Sequence, residues 1–147
     1  MNRRTSMQNR QGNSGKERKM LCRYCNRSLS PTDNLELENS VLMVCGRERC
    51  RLKRLKCLLS KPFIEQLFSV DVNVVQTVDA AKKFFSVVRK RMFNYIKNHD
   101  FMDDEFVANI SYLIQLLLVV SHFANIRKVV VNLHKELPPL IWEKIAA

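Results

Sequence analysis

The sequence predicts a mainly α protein in which a small module of β-hairpin and helix, stapled by cysteines, precedes a helical domain. Three observations predict it. Four of the five cysteines fall as two close pairs within residues 22–50, and beyond Pro62 the apolar residues recur at steps of three and four. Three glycines and four prolines in 147 residues are too few for an all-β fold built on many tight turns.

Residues 1–20 have no apolar periodicity and are rich in Arg, Asn, Gln, Ser and Gly. Such a segment cannot bury enough surface to offset its ordering entropy, so it reads as a disordered basic arm. Residues 21–61 form the cysteine module. Within it Leu35 and Leu37 alternate with Glu36 and Glu38 before the polar Asn39-Ser40 pair, which predicts a short hairpin over Leu35–Val44. After Cys50, Leu52, Leu55 and Leu59 fall at helical spacing among basic residues, predicting a basic amphipathic helix that stops near Ser60 ahead of Pro62.

Residues 62–147 read as the helical domain, beginning with a short turn over Phe63–Phe68. Val74, Val78, Ala81, Phe85, Val88, Met92 and Tyr95 mark one apolar face over about six turns. Asp103, Asp104 and Glu105 place negative charge where the next helix begins, and that helix is apolar on nearly all sides to Phe123, as a central helix is. It is not read as a membrane span, because Asn109, Ser111, Gln115, Ser121 and His122 interrupt it. Ile126–Leu137 is β-branched enough to fit helix or strand, and Pro138-Pro139 ends it. The last residues form a docking turn around Trp142.

The net charge of +11 is unevenly distributed. Residues 1–20 carry six Lys/Arg against one acid and residues 21–61 nine against four, whereas residues 62–147 carry ten against nine. The positive field therefore belongs to the arm and the cysteine module, which points to a polyanionic partner there and a near-neutral packing domain behind it. With no apolar leader in the first twenty residues and an odd number of cysteines, a reducing intracellular setting and metal binding are expected rather than a disulfide framework.

The strongest chemical signal is the pair Cys22 and Cys25, then nineteen intervening residues, then Cys45 and Cys50. A two-residue gap lets both thiolates and the turning backbone face one ion, and a hairpin returns the second pair to complete a tetrahedron. The expected cofactor is one structural zinc ion in a treble-clef-like order of knuckle, hairpin and helix. The alternative is a redox pair at Cys22 and Cys25 with Cys45 and Cys50 buried, but no βαβ pattern surrounds the CxxC. Cys57 reads as a core thiol and as the replacement ligand if Cys45 or Cys50 does not coordinate.

Four thiolates close the metal's coordination, so no position remains for catalytic water. His99, His122 and His134 are scattered, and the sequence contains no phosphate-binding glycine loop or recognisable triad. A non-enzymatic role is expected. Arg47, Arg49, Arg51, Lys53, Arg54 and Lys56 are the candidate nucleic-acid contacts, the alternative being a solvated face over the leucines. Tyr24, inside the knuckle, is placed either to stack on a base or to pack beside the metal.

CRYCNRSL followed by VCGRERCRLKRL resembles the FCS/MYM type of treble-clef finger, including those of small late transcription factors of large DNA viruses; the resemblance covers residues 22 to 59. It implies a CxxC knuckle, a strand ending in cysteine, a helix starting near the fourth cysteine, and a setting in transcription. The CxxxxC ahead of an apolar helical stretch is also similar to the cysteine-containing region that precedes the catalytic domain in some poly(ADP-ribose) polymerase relatives. The resulting expectation is a nuclear, zinc-binding regulatory factor with no membrane association. It binds DNA or RNA through residues 1–61 and a protein partner through the helical domain. The alternative is a structural or protein-interaction subunit of a larger assembly.

Overall fold

The computed structural model describes residues 20–29, 41–99, 103–126 and 129–146. Residues 1–19 of the expected basic arm, and the first strand and turn of the expected hairpin, lie outside these residues. Among the described residues the fold is mainly helical and contains no strand, only an isolated antiparallel bridge between Leu21 and Ser28. Val41 and Leu42, where the hairpin's second strand was expected, are helical, and Cys45 follows in irregular backbone.

The helices are α1 (Glu48–Leu59), α2 (Pro62–Phe68), α3 (Val78–Lys97), α4 (Asp104–Phe123), α5 (Val129–Glu136) and α6 (Pro139–Ala146), with a 3₁₀ turn at Val72–Val74. Their boundaries follow local chemistry. Pro62 opens α2, where its missing N–H costs nothing. Thr77 Oγ1 accepts the Ala80 N–H at 3.0 Å to start α3, and Asp103 Oδ1 accepts the Phe106 N–H at 2.8 Å to start α4. At the far end of α4, Asn125 takes φ 55°, the Asn125 N–H bonds to the His122 carbonyl, and the Ile126 N–H bonds to the Ser121 carbonyl. That is a Schellman stop with asparagine in glycine's usual place.

The apolar face expected to start at Val74 begins later. Asp71 accepts the Asn73 N–H at 2.7 Å and holds a 3₁₀ turn there, leaving Val74 and Val78 more than two-fifths exposed. Ala81, Val88 and Met92 are buried as expected, together with Phe84. The segment that fitted helix or strand is helix α5.

Helix α4 is the hub. Its residues Leu113–Ser121 are all buried, and it contacts α1, α2, α3, α5 and α6. It is long and apolar enough to cross a membrane by length and composition, yet 61% of its apolar window is buried within the protein. Each fully buried leucine or isoleucine there contributes about 1.5–3 kcal/mol of transfer free energy before entropy is counted. One continuous apolar cluster runs from Cys22, Leu42 and Val44 through Leu55 and Leu58 to α4 and on to Ile141. The cysteine segment is therefore packed into the same core as the helices. At one end, Tyr95 stacks on Phe106 (5.5 Å, 11°), meets Phe63 edge-on, and accepts a hydrogen bond from Asn109 Nδ2 at 2.8 Å.

Candidate metal centre

The residues from Cys22 to Ser28 form a tight knuckle. The Asn26 N–H bonds to the Cys22 carbonyl, the Cys22 N–H to the Arg27 carbonyl, and Asn26 takes φ 61°, a conformation asparagine tolerates well. The Arg23 N–H reaches the Met43 carbonyl at 2.9 Å, which ties the knuckle to the segment leading into Cys45. Met43 itself is left-handed at φ 55°. For a residue with a full side chain this costs about 1–2 kcal/mol, and it persists because flanking Leu42 and Val44 are wholly buried. Cys50 arrives from the first turn of α1.

These elements bring the four predicted ligands together. The Sγ atoms of Cys22, Cys25, Cys45 and Cys50 all lie within 4.8 Å of one another, and those of Cys25 and Cys45 are 3.7 Å apart. Sulfurs at the corners of a tetrahedron, each about 2.3 Å from a central zinc, lie about 3.8 Å from one another. A disulfide needs about 2.05 Å, so the cysteines are free thiols at ligand spacing. Cys57 is not in the cluster; it is half-buried and accepts a hydrogen bond from Arg54 Nη1 at 3.5 Å.

The protonation pattern is compatible with a shared cation. Burial opposes ionisation of Cys22, yet hydrogen bonds from the backbone at Cys45, Tyr24 and Cys25 and from the Cys25 side chain outweigh it and bring that thiol down to about 6. Burial pushes Cys45 up. Burial, and then the adjacent sulfurs of Cys45, Cys25 and Cys22, pushes Cys50 up to about 12. One thiolate forms readily, and its neighbours resist a second negative charge unless a metal compensates it.

The cationic residues divide into two groups. Arg47, Arg49, Lys53 and Lys56 are exposed, as expected for phosphate contacts. Arg51 and Arg54 are only 1% and 5% exposed, so neither presents its charge to a polyanion, and their expected role is corrected. Arg51 lies beside the cysteine cluster, where its Nε donates to the Cys45 carbonyl at 2.9 Å. Burial lowers its guanidinium to about 10 while the charge on Cys22 works the other way, so it stays cationic at neutral pH. Arg54 lies against α4, donating from Nη2 to Gln115 Oε1, while Gln115 Nε2 donates to Ser111 Oγ at 3.1 Å. Arg54 Nε is buried with no hydrogen-bond acceptor.

Leu52, expected on the apolar face, is 37% exposed between these cations, and Leu58 is buried instead. Arg23 and Arg27 on the knuckle are also exposed and extend the cationic surface. Sequence reasoning missed them because only the run after Cys45 looks dense. His122, half-buried at the end of α4, has its imidazole pKa lowered by burial and by Arg51, partly offset by Glu48. Compared with known proteins, the chain matches no family model, no curated protein and no solved structure.

Proposed function

We propose that the four cysteines hold one structural zinc ion in a treble-clef-like knuckle-and-helix unit, and that this unit presents cations to nucleic acid as part of a non-enzymatic regulatory factor. The observation that carries the reading is the mounting of exposed Arg49, Lys53 and Lys56 on the helix whose first turn contains Cys50, with exposed Arg47 at its N-cap and exposed Arg23 and Arg27 on the knuckle that contains Cys22 and Cys25. A closed set of four thiolates leaves the metal no open position, so its contribution is to fix shape: bound zinc replaces thiol protons and joins the knuckle to α1. The exposed cations release counterions from phosphates, and residues 1–20 add charge of the same sign. Transcription is the setting that the FCS/MYM resemblance suggests.

The test is affinity for labelled DNA and RNA between about 50 and 200 mM salt. The reading predicts a steep fall with salt. It also predicts a loss of about tenfold or more in the Arg49→Glu/Lys53→Glu variant, with the metal retained. A flat salt dependence, or no binding to either nucleic acid, contradicts it.

A further inference from the structure

The near-neutral sum over residues 62–147 conceals a separation of charge. Helix α3 carries Lys82, Lys83, Arg89, Lys90, Arg91 and Lys97 against a single acid, Asp79, and all seven are exposed. Acids gather elsewhere, at Asp103, Asp104 and Glu105, where α4 begins. At 100° per residue, Lys82, Lys83, Arg89, Lys90 and Lys97 fall within about 120° of arc, opposite the buried stripe of Ala81, Phe84, Val88 and Met92. They extend along about 22 Å of helix.

Arg89 is paired with Glu136, and Arg91 donates to the Leu67 carbonyl and lies over the Phe68 ring. Lys82, Lys83, Lys90 and Lys97 have no partner among the described residues.

A row of lysines alone is an ordinary solvated face. This one borders an open pocket of about 530 Å³, lined by Ser86, Arg89, Lys90, Phe93, Asn94 and Glu136. That volume lies within the size range of small-ligand sites. Inside it the Arg89 guanidinium lies over the Phe93 ring, 5.2 Å from the centroid, and Glu136 holds it there. A guanidinium fixed on an aromatic ring is a stacking platform for a nucleobase. Asn94 and Ser86 offer neutral hydrogen-bonding groups to a base edge, Glu136 accepts from an exocyclic amine, and Lys90 stands at the pocket for a phosphate.

We infer that α3 and this pocket form a second nucleic-acid surface that takes a single strand, with phosphates along Lys82, Lys83, Lys90 and Lys97 and one base on the Arg89–Phe93 platform. A duplex keeps its bases paired and stacked and cannot fill the pocket. The inference rests on the nucleic-acid reading above and adds to it a strand preference and a site in the helical domain.

The experiment titrates the zinc-loaded full chain with a labelled single-stranded oligonucleotide and with its duplex across a range of salt. Wild type binds the single strand more tightly. Lys82→Ala/Lys90→Ala lowers single-strand affinity about tenfold and reduces the slope of log affinity against log salt by about 1.4, since each lost contact removes about 0.7. Phe93→Leu keeps apolar volume under Arg89 but removes the ring, and weakens the single strand about fivefold. If Arg49→Glu/Lys53→Glu weakens binding while both α3 variants bind as wild type, the inference is overturned and the proposed function stands. If wild type binds no oligonucleotide, both fall. Binding to phosphatidylserine vesicles or polyglutamate in place of the oligonucleotide also overturns the inference.

Discussion

Arg51 and Arg54 are adjacent turns of one helix, and each is buried for a different reason. Arg51 faces an anionic site and donates to the Cys45 carbonyl, so Arg51→Met removes a cation that offsets thiolate charge. Loss of such an outer-shell partner lowers metal affinity about 10–100-fold; competition with a chromogenic chelator measures it. Arg54 has Gln115 as its main acceptor and no carboxylate partner among the described residues. Gln115→Leu leaves that buried guanidinium with only the thiol of Cys57 as an acceptor, and its expected cost is about 1.5–3 kcal/mol in urea unfolding. In Arg54→Met/Gln115→Leu both polar partners are gone, and most of the lost stability returns. Equal stability of the single and double variants would contradict this reading of the pair.

At the scale of the element, helix ends are set by short-range chemistry. Asp103→Ala removes the bond to the Phe106 N–H and costs about 1 kcal/mol by thermal unfolding, whereas Asp104→Ala, which loses only charge near the helix start, costs about half as much. Such local signals explain what could be read in advance: the start of α4 at its acids, the end of α1 before Pro62, and the paired cysteines as one cluster. Other features could not be read this way because they depend on what lies across the core. Periodicity assigns a charged residue to solvent, so Arg51 and Arg54 were expected outside; inside, they meet the Cys45 carbonyl and Gln115 of α4, partners far from them in helical register. Val74 matches the spacing of α3, but Asp71 turns the chain before the helix begins. The cationic face of α3 disappeared in a sum because acids elsewhere in residues 62–147, three of them at the start of α4, nearly cancel it numerically without lying on it.

For the whole molecule, the cysteine site and the helices share one apolar cluster, so protonation at the site is felt as global stability. The lowered Cys22 thiol contributes stability that is fully present above its ordinary value of 9.0 and is lost as pH falls through about 6. His122 acts in the same direction: its neutral form is favoured in the fold, so stability also falls as pH drops below 6.5. The raised Cys45 and Cys50 thiols act oppositely, since above pH 9.0 their unfolded counterparts ionise first. Metal-free protein is therefore expected to lose stability on both sides of a maximum near pH 9. With metal bound, the alkaline loss disappears because the cation has replaced those protons, and denaturant midpoints across pH, with and without chelator, show the difference. An unchanged alkaline limb would mean that no metal shares these thiols.

The central claim is that one ion joins Cys22, Cys25, Cys45 and Cys50 while Cys57 stands apart. Native mass spectrometry with thiol alkylation, before and after chelation, tests it most directly. The account predicts one zinc per chain and rapid labelling of Cys57 alone, then loss of the ion and labelling at all five cysteines once chelator is added. A folded chain that carries no metal and labels identically in both states would contradict it.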